Sequence, residues 1–163
     1  MLFTIGHSNR STAEFFEPLL ARDVQLIADV RSRPYSRFHR FNKDAIAAEA
    51  NSRGIEYAWL GEHLGGLLRH DLDDPAVAAA LDALATNCRR VAIFCAEGAP
   101  EQCHRTTFIA AALLVRSGVV SRSILRDDRE EPVSRTLLRA NIELVPESIR
   151  EETVRLCLRA ESA

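Results

Sequence analysis

The segment CAEGAPEQCHR, Cys95 to Arg105, sets two thiols, a carboxylate, an imidazole and a guanidinium between one apolar run, RVAIFCAE, and the start of the next. That spacing predicts a strand-to-helix turn. In parallel α/β proteins ligands bind outside the carboxyl ends of the strands, and a helix N-terminus attracts anions through its free N–H groups. Cys103, beside His104 and Arg105 at such a terminus, is a candidate nucleophile because neighbouring positive charge stabilises a thiolate; the plain alternative is a cysteine that caps or packs. Cys95 closes the apolar run, a common place for a small buried thiol, and takes a supporting role. A Cys95–Cys103 disulfide is within reach of the intervening chain, although a reducing compartment disfavours a permanent bridge. Glu97 is a candidate general acid or base, since partial burial raises a carboxylate pKa toward neutrality; orienting an arginine is its competing role. His104 supports the site or faces solvent, because adjacent helical residues point about 100° apart.

Two further motifs follow apolar runs of strand length: Gly6-His7-Ser8-Asn9-Arg10 and Asp29-Val30-Arg31-Ser32-Arg33. If the strands before them lie beside the strand ending at Cys95, all three motifs meet at one edge of the sheet. Gly6, Ser8, Arg10, Asp29, Arg31, Arg33 and Arg105 are then the expected substrate-binding residues, with Asp29 orienting Arg31. His7 transfers a proton or contacts phosphate. Downstream, Arg31, Arg33, Arg37, His39 and Arg40 interleave with Tyr35, Phe38 and Phe41. Guanidinium groups grip phosphates bidentately and aromatic rings stack on exposed bases, so RSRPYSRFHRF has the chemistry of a nucleotide or nucleic-acid contact. Against this, Lys43 is the single lysine among 21 basic residues, so arginine is abundant everywhere, and the aromatics can simply anchor the loop.

Several other chemistries lack their signatures. Cys95, Glu97, Cys103, His104 and His7 are conceivable ligands, but C-x7-C-H matches none of the usual paired zinc spacings, so no metal or cofactor is expected. Neither GxGxxG nor GxxxxGK[ST] occurs. A cysteine followed six positions later by arginine, the tyrosine-phosphatase arrangement, is also missing: Glu101 and Ile109 stand at those places.

The 163 residues, with 47% hydrophobic and 27% charged side chains, fit one α/β domain over 1–163, and a net charge of -2 gives no global nucleic-acid signature. Cys88, Cys95, Cys103 and Cys157 are too few and too unevenly spaced for a secreted disulfide framework. The start lacks a leader pattern and no apolar run approaches a membrane span, so a cytoplasmic protein without membrane contact is expected.

Periodicity supplies the elements that hold the motifs. Leu2–Ile5 reads as a first strand, and Ser11 with Glu14 forms a capping box for a helix from about Thr12 to Arg22. Leu26–Val30 is the second strand; Asn42 caps a helix to about Ser52, and Ile55–Trp59 is the third. A long functional or mobile loop fills Leu60 to Asp74. Pro75 opens an alanine-rich helix ending near Cys88, and Val91–Cys95 is the fourth, central strand. His104–Ser117 forms a helix closed by Gly118, followed by a fifth strand within Val119–Leu125. Asp127–Glu131 reads as charged and solvated, Val133–Asn141 as a short helix, and Pro146–Glu161 as a C-terminal one. The expected fold is a mostly parallel sheet of about five strands with helices on both faces.

TIGHSNRS, DVRSRPYSRFHRFN, GIEYAWL with LGG soon after, and CAE followed by CHR together resemble the family called domain of unknown function 488, over roughly Leu2 to Leu125. The resemblance implies site positions at Gly6, His7, Ser8, Asp29, Arg31, Cys95, Glu97, Cys103, His104 and Arg105; the C-terminal helical extension over about 133–161 lies outside it. The stretch LGGLLRHDL departs from the more basic sequence expected after LGG, so no role passes to Arg69 or His70. The family carries no settled activity. From the residues, the first expectation is an enzyme acting on a phosphate-bearing small molecule or nucleic acid, with Cys103, Glu97 and His7 performing the chemistry. A non-catalytic nucleic-acid or ligand-binding module is the alternative, and a thiol redox protein a third.

Overall fold

LFTIG is interrupted only by Thr4 and VAIFC is apolar along its whole length, close to the continuous runs expected of strands covered on both faces. In the computed structural model, which describes residues 1–67 and 71–162, they form β1 (Leu2–Gly6) and β4 (Val91–Cys95), every residue buried. β2 (Leu26–Asp29), β3 (Glu56–Trp59), β5 (Arg122–Ile124) and β6 (Glu130–Pro132) complete a six-stranded sheet of order β3-β2-β4-β1-β5-β6. β1 to β5 are parallel and β6 alone runs antiparallel, against β5.

Between the strands run α1 (Thr12–Leu20), α2 (Lys43–Ser52), the single turn α3 (Gly61–Leu64), α4 (Pro75–Ala85) and α5 (Ala111–Ser117), and α6 (Val133–Arg139) and α7 (Glu147–Glu161) follow β6. The helices cover both faces. Phe15, Phe16 and Leu19 of α1 and Ile46 and Ala50 of α2 pack on Phe3, Ile5, Ile27 and Phe94. On the other face Val77, Leu81, Leu113, Ile149 and Cys157 pack on Leu2, Leu26, Ala28 and Ile93. Each Val, Leu, Ile or Phe among them stabilises the fold by about 1.5–3 kcal/mol through lost water contact.

Local signals work as their chemistry demands at several boundaries. The Glu14 amide donates to Ser11 Oγ at 3.2 Å while the Ser11 amide donates to Glu14 Oε2 at 2.6 Å, closing the capping box of α1. The Ala76 amide donates to Asp74 Oδ1, capping α4. Gly118 ends α5 in the left-handed conformation at φ 65°. Asn42 does stand before α2, but its carboxamide oxygen accepts from the Ser36 amide at 2.8 Å, so it braces the preceding loop instead of capping the helix.

Further expectations change. Asp127–Glu131 is not simply a solvated stretch: Glu130 and Glu131 lie in β6, a sixth strand. Glu130 accepts from Arg22 and Arg122 at 2.6 Å each, and Glu131 is buried against Arg139 and Thr136, so the carboxylates are neutralised by arginines that lie outside β6. The helix expected from His104 begins instead at Arg105, with a π-helical segment, Arg105–Ala110, leading into α5. Within Leu60–Asp74, Gly61–Leu64 is helical, while Arg69 and His70 lie outside the described residues. Among the described residues no helix is long and apolar enough to cross a membrane.

Candidate functional site

The order β2-β4-β1 puts the carboxyl ends of the three motif-bearing strands side by side, with Gly6 paired to Cys95 and Asp29 to Phe94. The ladder continues past β1: the His7 and Ser8 amides donate to the Cys95 and Ala96 carbonyls, both at 2.9 Å. Only glycine suits position 6, since a Cβ there would stand 1.8 Å from the Glu97 carbonyl oxygen. Because strand side chains alternate, Phe94 and Cys95 turn to opposite faces of this edge. Each face carries its own polar cluster.

On the α1–α2 face Asp29 is fully buried and accepts four hydrogen bonds. Arg31 supplies three, from its amide at 3.1 Å, Nε at 2.8 Å and Nη2 at 2.6 Å, and the Tyr57 hydroxyl supplies the fourth at 2.8 Å. The Arg31 guanidinium also lies over the Phe94 ring, and Trp59 Nε1 donates to the Arg31 carbonyl at 2.9 Å. His7 stacks on Phe41 with ring centres 4.3 Å apart and donates from Nδ1 to the Ser8 carbonyl at 2.9 Å. That bond leaves Nε2 to accept from Arg31 Nη1 at 3.4 Å. Burial pushes the His7 pKa down to about 4, and the Arg31 charge adds to the effect, so the imidazole is neutral near pH 7.

On the α5 face Cys95 and Cys103 are free, buried thiols. His104 Nδ1 lies 3.7 Å from each sulfur, and its Nε2 donates to the Val30 carbonyl at 3.0 Å. A carbonyl only accepts, so Nε2 carries the proton and the Nδ1 lone pair faces the sulfurs. Cys103 is pulled well below the usual thiol range by the Cys95 thiol donating to it and by the Arg105 charge. Its sulfur neighbour and burial push Cys95 up. His104 turns inward despite its place beside Cys103 because Cys103 is still extended, at φ −111° and ψ 137°, and the helix starts after it. The angular rule for adjacent helical residues therefore does not apply here.

A cleft of about 300 Å³ opens over this edge. Arg31, Ser32, Arg33 and Tyr35 line one side, and Cys95, Glu97 and His104 another. A neighbouring depression holds His7, Ser8, Tyr35 and Arg37; a third, behind His104, holds Cys103. Glu97 is exposed and borders all three. Ser8 reaches its position with φ 43°, a left-handed conformation that costs a non-glycine residue energy.

Two expected substrate-binding arginines are otherwise committed. Arg10 is buried and points toward β5, donating to the Leu125 carbonyl at 2.6 Å, the Glu14 carbonyl at 2.8 Å and Asp128 Oδ1 at 3.0 Å. Arg105 is 1% exposed and donates to the Glu97 carbonyl at 2.6 Å and the Gly98 carbonyl at 3.3 Å, so it holds the loop that carries Glu97. In the basic loop, Phe41 is core and Arg40 donates to the Arg10 carbonyl, whereas Arg33, Tyr35 and Arg37 are exposed. Sequence reasoning missed Tyr57, Trp59 and Gly66. They lie in the GIEYAWL and LGG stretches, to which no site role was given, and the pairing of β3 with β2 sets Trp59 beside Asp29.

Fold and site define a mostly parallel α/β protein whose cleft lies outside the carboxyl ends of its strands, the position at which such sheets bind ligands. A family model described as Domain of unknown function DUF488 matches residues 11–71, which contain DVRSRPYSRFHRFN and GIEYAWL, and supports the family read from the sequence. No curated protein and no solved structure matches the chain.

Proposed function

We propose that this protein is an enzyme acting on a phosphate-bearing substrate, a nucleotide or nucleic acid, bound in the cleft over the ends of β2 and β4. The observation that carries this reading is the shared lining of that cleft, with arginine and tyrosine on one side and a cysteine, a carboxylate and an imidazole on the other. Arg33, with Arg37 beyond it, takes the phosphate, because an exposed guanidinium offers paired in-plane donors, and Arg37 keeps them while its face lies over the Phe38 ring. Arg31 serves differently: bound to Asp29, it adds fixed positive potential at the cleft floor. Glu97 is the proton-transfer group, and neutral His7 supports Arg31 instead of moving a proton itself.

A screen of nucleotides, phosphate monoesters and diesters, and single-stranded oligonucleotides tests this reading. Turnover by the wild type that falls about 10²–10⁴-fold in Glu97→Gln, the usual contribution of a general acid or base, supports it. Chemical change in none of these substrates contradicts it. The alternative, a module that binds single-stranded nucleic acid, draws on Tyr35, 73% exposed between two exposed arginines and available for base stacking. Salt-sensitive oligonucleotide binding without turnover would favour the module.

A further inference from the structure

We propose that Cys95, Cys103 and His104 form a binding site for a soft divalent metal ion of the zinc class, with its remaining coordination position turned to the cleft. The three donor atoms lie within 4.8 Å of one another, and the two sulfur-to-nitrogen separations are both 3.7 Å. Zinc bonds of about 2.3 Å to sulfur and 2.0–2.1 Å to nitrogen at a tetrahedral angle require a separation of about 3.6 Å. Two thiolates and an imidazole are also the donor set that selects zinc over magnesium or calcium, which prefer oxygen.

The second shell fits the same role. A metal-binding histidine generally donates its other ring N–H to a carbonyl or carboxylate, which fixes its tautomer and orientation. His104 does this through Nε2 to Val30, at the end of β2, leaving Nδ1 directed at the sulfurs. Gly66 closes on the ring from the other side, where a Cβ would stand 2.6 Å from Nδ1. The Glu97 and Gly98 carbonyls are tied down by Arg105, so the chain joining the two cysteines is held as well.

The spacing C-x7-C-H concealed this arrangement because the ligands come from two elements. Cys95 ends a strand, while Cys103 and His104 adjoin at a bend from extended to helical backbone, φ −111° to φ −56°, which lets neighbours converge. Protein ligands numbering three, with a further position left open, are the pattern of catalytic rather than structural zinc. Cys95, Glu97 and His104 line the same cleft, so that position is filled by water or substrate beside the Glu97 carboxylate. Only this last point rests on the function proposed above; the metal site itself does not.

The test titrates the reduced, chelator-treated full chain with Co(II) in phosphate-free buffer, then displaces it with Zn(II). The expected result is one ion per chain with sulfur-to-cobalt charge-transfer absorption, unchanged in Cys88→Ser. Affinity should fall on the order of 100-fold or more in Cys95→Ser and His104→Gln, since even second-shell partners are worth roughly 10–100-fold. Should those variants misfold, wild-type alkylation gives the same answer: Zn(II) protects Cys95 and Cys103 and leaves Cys88 reactive. Absence of the charge-transfer band, or alkylation of Cys95 and Cys103 at the same rate with and without Zn(II), would overturn the inference. So would a reduced chain that binds no metal but closes a Cys95–Cys103 disulfide under mild oxidation. Arg33→Ala/Arg37→Ala should bind Co(II) normally, which separates failure of the metal site from failure of phosphate recognition.

Discussion

Arg31 and Asp29 form a two-bonded ion pair at 2.8 and 2.6 Å, with both side chains almost wholly removed from water. An ion pair in that setting contributes little net stability compared with apolar packing, yet breaking it leaves a charge buried without its partner. Asp29→Ala should therefore cost about 3–5 kcal/mol in denaturant unfolding. Tyr57→Phe removes one hydrogen bond to the same carboxylate and should cost about 0.5–3 kcal/mol. Equal, negligible losses would show that Arg31 finds water or another partner.

The Gly6 position makes a sharper steric demand. A methyl group there would meet the Glu97 backbone, which cannot swing aside as a side-chain tip would. Gly6→Ala should separate β1 from the loop after β4, lower the melting temperature and release the Glu97 carbonyl from Arg105. Loss of amide-exchange protection at His7 and Ser8 reads this directly, since both amides donate to that segment. Retained protection would mean that the loop accommodates the methyl.

Glu131 gives the C-terminal part of the sheet a pH dependence. Hydrogen bonds from Arg139, with a further one from Thr136, hold its carboxyl below the usual glutamate range. The unfolded chain therefore takes up this proton first as pH falls. The stabilisation is fully present above the ordinary carboxylate pKa of about 4.3 and disappears as pH drops through the lowered folded value. Glu131→Gln should melt below the wild type at pH 7, with the gap closing in acid. A gap independent of pH would assign the loss to packing.

Much of this fold was legible because local signals agreed with one another. Ser11 and Glu14 announced α1, Pro75 and Gly118 marked helix ends, and the unbroken apolar run of β4 identified a central strand. β6 was hidden because its glutamates look like a solvated loop, and the arginines that neutralise them are scattered over Arg22, Arg122 and Arg139. The meeting of the GHSNR, DVRSR and CAE motifs followed from strand order, but the direction of each side chain did not. Arg10 sits in the right motif and points toward Asp128, away from the cleft. His104 turns inward because of one extended residue that no periodicity announces.

Gly66 offers a test of how tightly that inward turn is enforced. Gly66→Ala should push the imidazole away from the two sulfurs, changing the His104 ring resonances in NMR while leaving the His39 resonances in place. Unaltered His104 resonances would mean that the loop carrying Gly66 moves instead of the ring.

The central claim is that the cleft recognises phosphate through its exposed arginines. Calorimetric titration with nucleoside monophosphates, at low and at physiological salt, tests it most directly. Saturable binding that weakens with salt and drops at least about tenfold in Arg33→Ala/Arg37→Ala, a loss of roughly 1.4 kcal/mol, is the predicted result. Binding that is absent from the wild type, or equal in the wild type and the double variant, would contradict it.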